Sequence, residues 1–200
     1  MPRSRLHTGA IPINDRAARW ARALLRLAGW RVVGEAPSVA RCVVIFAPHT
    51  SNWDFPILLG VRFAFGHRVR YLAKHTLFRF PYAWFFRATG GIPVDRGQPG
   101  QLVESIARRF AADGELWLAI SPEGTRKQTD HWKTGFYRIA VAARVPVLLA
   151  FIDARRRECG VGELIELTGD AARDLERLRA FYASKQGIRP ELASEIAFLP

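Results

Sequence analysis

The sequence predicts an α/β fold in one domain, a largely parallel sheet covered by helices on both faces, with an amphipathic helix at the N-terminus. Three observations predict it. Apolar stretches of strand length alternate with stretches of helical periodicity. Residues 145–152 are apolar without alternation, the pattern of a strand buried on both sides. Several strand-length stretches end on polar, chemistry-bearing residues, as strands do at the carboxyl rim of an open α/β sheet. A length of 200 residues suits one core.

Residues 1–13 read as a loose arm. Asn14 or Asp15 can cap a helix to about Ala28, and Gly29 can end it. Ala17, Trp20, Ala21, Leu24, Leu25, Leu27 and Ala28 recur at helical spacing, while Arg16, Arg19, Arg22 and Arg26 take other faces. Such a helix either lies in a membrane interface or packs on the domain with its arginines solvated. Residues 1–34 are assigned to this arm and helix, and residues 35–200 to the sheet domain.

A short strand at 31–34 and a loop lead to a strand at 41–46, which runs into Ala47-Pro48-His49-Thr50-Ser51-Asn52-Trp53-Asp54. A helix follows at 54–65, then a strand at 69–73 ending on Lys74. Residues 77–86, rich in aromatics, read as a helix broken or begun at Pro81 that packs in the core, lines an acyl slot or touches lipid. Gly90-Gly91 breaks the chain before an edge-like strand at 92–94, made so by Pro93, which ends at Asp95-Arg96. A helix at 99–112 and a strand at 116–120 lead into Ser121-Pro122-Glu123-Gly124-Thr125-Arg126. After a polar loop come a helix at 135–144, the buried strand, a basic tip at Arg155-Arg156-Arg157, and a last strand at 164–167. Asp170 caps a charged helix to about Ser184, and beyond Gly187 the signals are weak.

A net charge of +12 calls for an anionic partner: nucleic acid, a membrane surface or a phosphorylated substrate. Only Lys74, Lys127, Lys133 and Lys185 are lysine; the other basic residues are arginine, suited to bidentate phosphate contacts. No nucleic-acid recognition motif appears. Cys42 and Cys159 give no disulfide framework and read as reduced cytosolic thiols. The basic start is interrupted at residues 11–15, so no secretory signal is expected. No apolar run is long enough to span a bilayer.

The chemistry gathers at strand ends. A His and an Asp five apart cannot meet along one helix, but they can across a bent loop. Asp54 could then hold one nitrogen of His49 and leave the other as a base near neutral pH. The residues 123–126 are an ordinary turn by composition. As a site, Gly124 permits close backbone approach, Thr125 offers a hydroxyl and Arg126 grips phosphate. Glu123 either orients an arginine or fixes the loop through backbone amides. Ser51 lies beside His49, but the Gly-x-Ser-x-Gly elbow of hydrolases is absent, so it reads as a loop hydroxyl. His67, His75 and His131 lack metal-ligand spacing, and no metal is expected.

In these blocks the chain resembles the glycerolipid acyltransferases, such as the 1-acylglycerol-3-phosphate acyltransferases. The resemblance covers roughly residues 40–152. It rests on His-x-x-x-x-Asp at His49 and Asp54, Gly-Ile-x-x-x-Arg at residues 91–96, Pro-Glu-Gly-Thr-Arg at residues 122–126, and Val145-Pro146-Val147. Ser121 departs from the family, where an aromatic is frequent. The resemblance implies an acyltransferase domain that moves a fatty acyl group from acyl-CoA or acyl-carrier protein to a lysophospholipid hydroxyl. His49 and Asp54 would be catalytic. Arg96, Glu123, Gly124, Thr125 and Arg126 would bind the acceptor, with Lys74 and Lys133 at family lysine positions. No cofactor is implied; the thioester is a co-substrate. Expected partners are an anionic membrane surface, the donor and the lysophospholipid, with no nucleic acid. The expected location is cytoplasmic, peripheral on the inner face of the cell membrane. A different acceptor, a thioesterase and a basic nucleic-acid binder are the alternatives.

Overall fold

The computed structural model describes residues 15–94 and 99–198. The arm at 1–13, Asn14 as a cap, Asp95 and Arg96 lie outside the described residues. Helix α1 (Asp15–Leu27) stops where Gly29 takes a φ of 80°. Strands β1 (Arg31–Val33) and β2 (Arg41–Ala47) precede α2 (Asp54–Phe65), which ends at Gly66 with a φ of 72°. Then follow β3 (Val69–Lys74), a 3-10 turn (His75–Phe78), α3 (Ala83–Ala88) and β4 (Gly91–Val94). Helix α4 (Pro99–Ala112), β5 (Leu116–Ile120), α5 (Gly135–Ala143) and β6 (Val147–Asp153) carry the chain to β7 (Glu158–Ile165). Helix α6 (Ala171–Tyr182) is capped by Asp170, whose carboxylate accepts from the N–H groups of Ala172 and Arg173.

The seven strands form one sheet in the order β1-β7-β6-β2-β5-β3-β4. The strands from β6 to β4 run parallel, while β7 is antiparallel to β6 and parallel to β1. The carboxyl ends of β2, β5, β3 and β4 therefore share one rim. Alternate residues of the buried strands feed two cores. Val43, Ile45, Leu118, Val147 and Leu149 pack with α4, α5 and α6; Val44, Phe46, Trp117, Leu148 and Ala150 pack with α1 and α2. Strand β6 is buried along its whole length, as its unbroken apolar run requires. The proline-bearing β4 lies at the sheet edge.

One expectation needs correction. The last strand is not confined to 164–167 but begins at Glu158, where the basic tip turns the chain back onto β6. The aromatic stretch breaks at Pro81 as its sequence predicts: a 3-10 turn precedes it, α3 begins just after it, and Leu77, Phe80, Tyr82 and Trp84 are exposed. Helix α1 buries Ala21 and Leu25 but leaves Trp20, Leu24 and Leu27 exposed. Among the described residues, no helix is long and apolar enough to cross a membrane.

Candidate active site

Strand β2 ends at Ala47, in register with Phe151 of β6. The next residues bend into α2, and this loop brings His49 back over Asp54. His49 Nδ1 lies 3.0 Å from Asp54 Oδ2. The same oxygen accepts from the N–H groups of Thr50 and Ser51, at 2.8 Å each. Asp54 is fully buried, while 17% of the His49 side chain remains exposed. One carboxylate thus shapes the loop and fixes the imidazole, with Nδ1 carrying the proton it donates. Among the described residues, Nε2 has no hydrogen-bond partner, so it can accept a proton from a bound hydroxyl.

Glu123 supports the loop from below. It is buried, and its Oε1 accepts from the His49 N–H at 2.6 Å. Of the two roles open to it, the structure places it in the second, bracing the loop through a backbone amide. Burial pushes its pKa up from 4.5 to about 7, partly offset by the hydrogen bond from the His49 N–H and by the nearness of Ser194. Gly124 has a φ of 65°, and a Cβ there would come within 2.9 Å of Lys133 Cδ. Lys133 is thus drawn over the turn, with its N–H donating to the Pro122 carbonyl at 2.7 Å. Thr125 Oγ1 accepts from the Lys127 N–H at 3.2 Å. Arg126, Lys133 and Lys74 are exposed, with Lys74 closing β3 on the same rim. Arg96 lies outside the described residues.

Ser51 Oγ accepts from the Trp53 N–H at 3.2 Å, a bond within the loop before α2, and does not pair with His49. Both thiols are buried and unpaired; burial raises that of Cys159 to about 12 and that of Cys42 higher still. Among the described residues, no group of three His, Cys, Asp or Glu side chains is placed to hold a metal ion.

Sequence reasoning missed the space beneath α2. A cavity of about 180 Å³ lies between that helix and the sheet. His49 and Ser121 line its rim end; Phe65, His67 and Trp117 line the far end, roughly 15 Å along the helix axis. Phe46, Leu58, Tyr71, Ala119 and Ala150 line the walls between. His67 stacks on Trp117 with ring centroids 4.0 Å apart, and burial lowers its pKa. The signal for these walls was the even-numbered face of β2, which offers Val44 and Phe46 to the α2 side.

A protein-family model described as Acyltransferase matches residues 30–152, more than half of the chain. The chain belongs to the acyltransferase family. It is an enzyme, and the matched span contains His49, Asp54 and the 122–126 block. No curated protein matches this acyltransferase at a significant level. Its fold is similar to the crystal structure of the 1-acyl-sn-glycerophosphate acyltransferase PlsC from Thermotoga maritima. The TM-score is 0.56 at 18% identity, covering 86% of this chain and 76% of that one.

Proposed function

We propose that the protein transfers a fatty acyl group from a thioester, acyl-CoA or acyl-carrier protein, to the hydroxyl of a lysophospholipid such as 1-acylglycerol-3-phosphate. The observation that carries this reading is the His49–Asp54 pair at the rim end of an apolar cavity. An acyl chain laid under α2 would bring its thioester carbonyl to His49. Nε2 removes the proton from the acceptor hydroxyl as its oxygen attacks that carbonyl, and Asp54 stabilises the imidazolium that forms. The tetrahedral intermediate then expels the thiolate, which takes the proton back from His49. Arg126, Lys133 and Lys74, cationic and solvent-facing, suit a phosphate on the acceptor. The Thermotoga maritima protein of similar fold is named for a 1-acyl-sn-glycerophosphate acceptor, which agrees with this choice.

The lipid acceptor also accounts for the exposed apolar residues. Leu25 packs on Gly60 and Arg22 lies over Phe65, so α1 runs antiparallel to α2 and its C-terminus points to the catalytic rim. Phe55 of α2 touches Phe85 and Phe86 of α3. Leu24 and Leu27 on α1, Trp53 just before α2, Phe80 and Tyr82 just before α3, and Trp84 on α3 thus lie toward that rim. With Arg26, Arg79 and Arg87 among them, this surface fits an anionic bilayer on the cytoplasmic side. The test is a panel of lysolipids offered with labelled acyl-CoA and acyl-carrier protein. Label entering a phosphate-bearing lysolipid supports the reading. Thiol release that ignores every lipid means hydrolysis and overturns it.

A further inference from the structure

The residues after β7 lie beyond the span that the family model matches, yet they touch both loops of the site. The Arg189 N–H donates to Thr50 Oγ1 at 3.1 Å. Gly187 is buried against the same side chain, and a Cβ there would fall 2.5 Å from Thr50 Oγ1 and 2.8 Å from Cγ2. Thr50 is itself buried and β-branched, so it has little room to yield. Seven residues after Gly187, Ser194 Oγ accepts from the N–H and the hydroxyl of Thr129 at 3.1 and 2.9 Å. Thr129 belongs to the same loop as Glu123, and Ser194 lies close to that carboxylate. Glu123 in turn holds the His49 N–H.

The tail is fastened beyond these contacts. The Glu195 N–H donates to the Thr129 carbonyl at 3.1 Å, and the Trp132 N–H donates to the Ala197 carbonyl at 2.8 Å. Phe198 packs on Phe136 and Tyr137, with centroids 6.1 and 5.6 Å away. At the other end, the Ala154 N–H donates to the Gln186 carbonyl at 2.7 Å, anchoring the segment to the turn after β6.

We propose that residues 187–198 form a positioning strap, which sets the pose of His49 through Arg189 on Thr50 and through Ser194 on Thr129, in the loop that carries Glu123. Neither strap residue touches the reacting atoms. They hold the loop from which His49 Nε2 reaches the acceptor hydroxyl, where small displacements are costly in rate. The kinetic arm of the test rests on the acyl-transfer reading; the exchange arm does not.

The variants are Ser194→Ala, Ser194→Thr, Gly187→Ala, and Glu191→Gln as an exposed control. Amide hydrogen exchange over residues 48–54 should quicken about tenfold or more in Ser194→Ala and Gly187→Ala, with β6 unchanged. In acyl transfer, kcat should fall roughly ten- to a hundredfold while KM for donor and acceptor stays put, and Ser194→Thr should recover most of it. Exchange over 48–54 that matches the wild type in both variants overturns the proposal. So does a kcat loss that only follows the thermal midpoint and is not rescued by threonine. If the wild type transfers no acyl group, the acyl-transfer reading fails while the exchange arm still decides the strap.

Discussion

Replacing Asp54 by asparagine isolates what its charge does. Oδ2 accepts all three of the residue's hydrogen bonds, from His49, Thr50 and Ser51. Oδ1 is buried and has no partner among the described residues. The amide nitrogen can take the place of Oδ1 while the carbonyl oxygen keeps the three donors, so the loop should hold its shape. What is lost is the counter-charge to the imidazolium. Two unit charges about 4 Å apart interact by roughly 4 kcal/mol at an effective dielectric constant near 20. That corresponds to about a thousandfold in rate. The melting temperature should move far less, because three hydrogen bonds weaken but a buried charge is also removed. Steady-state acyl transfer, with circular dichroism melts on the same samples, measures both. A folded Asp54→Asn enzyme within about tenfold of wild-type kcat would refute the role assigned to this carboxylate.

Ser51→Ala should keep most of the activity and His49→Ala should lose it; mass spectrometry that traps an acyl-Ser51 adduct would reverse the assignment. Glu123→Gln should change how stability depends on pH. A carboxyl held near 7 in the fold instead of 4.5 binds more protons folded than unfolded between those values, so its contribution falls as pH rises through that window. The glutamine variant should gain roughly 3 kcal/mol on the wild type between pH 4.5 and 7, as read by denaturant titration. Ala119→Phe should block the middle of the cavity, sparing short-chain thioesters and rejecting long ones in a donor-length series. Phe80→Ala with Trp84→Ala should weaken sedimentation with anionic vesicles without altering the melt.

Much of the fold could be read from the chain because its breakers fall where elements stop. Gly29, Gly66 and Asp170 set helix ends that the structure keeps. The start of β7 was hidden because Cys159-Gly160-Val161-Gly162 alternates a small thiol and glycines, a weak strand signal. Only pairing with β6 makes it a strand. His49, Asp54 and the 122–126 turn stood out because loop chemistry is local in sequence. The cavity did not, since its walls come from helix α2 and from strands far apart in the chain. The tail did not either: its contacts to Thr50, Thr129 and Trp132 run largely through backbone groups, which every residue type carries.

The most direct measurement follows a radiolabelled acyl group from acyl-CoA into 1-acylglycerol-3-phosphate, with wild-type protein and His49→Ala side by side. Label should appear in the diacyl product only with the wild type, while both proteins melt alike. Equal transfer by the two would contradict the account, as would label recovered only as free fatty acid.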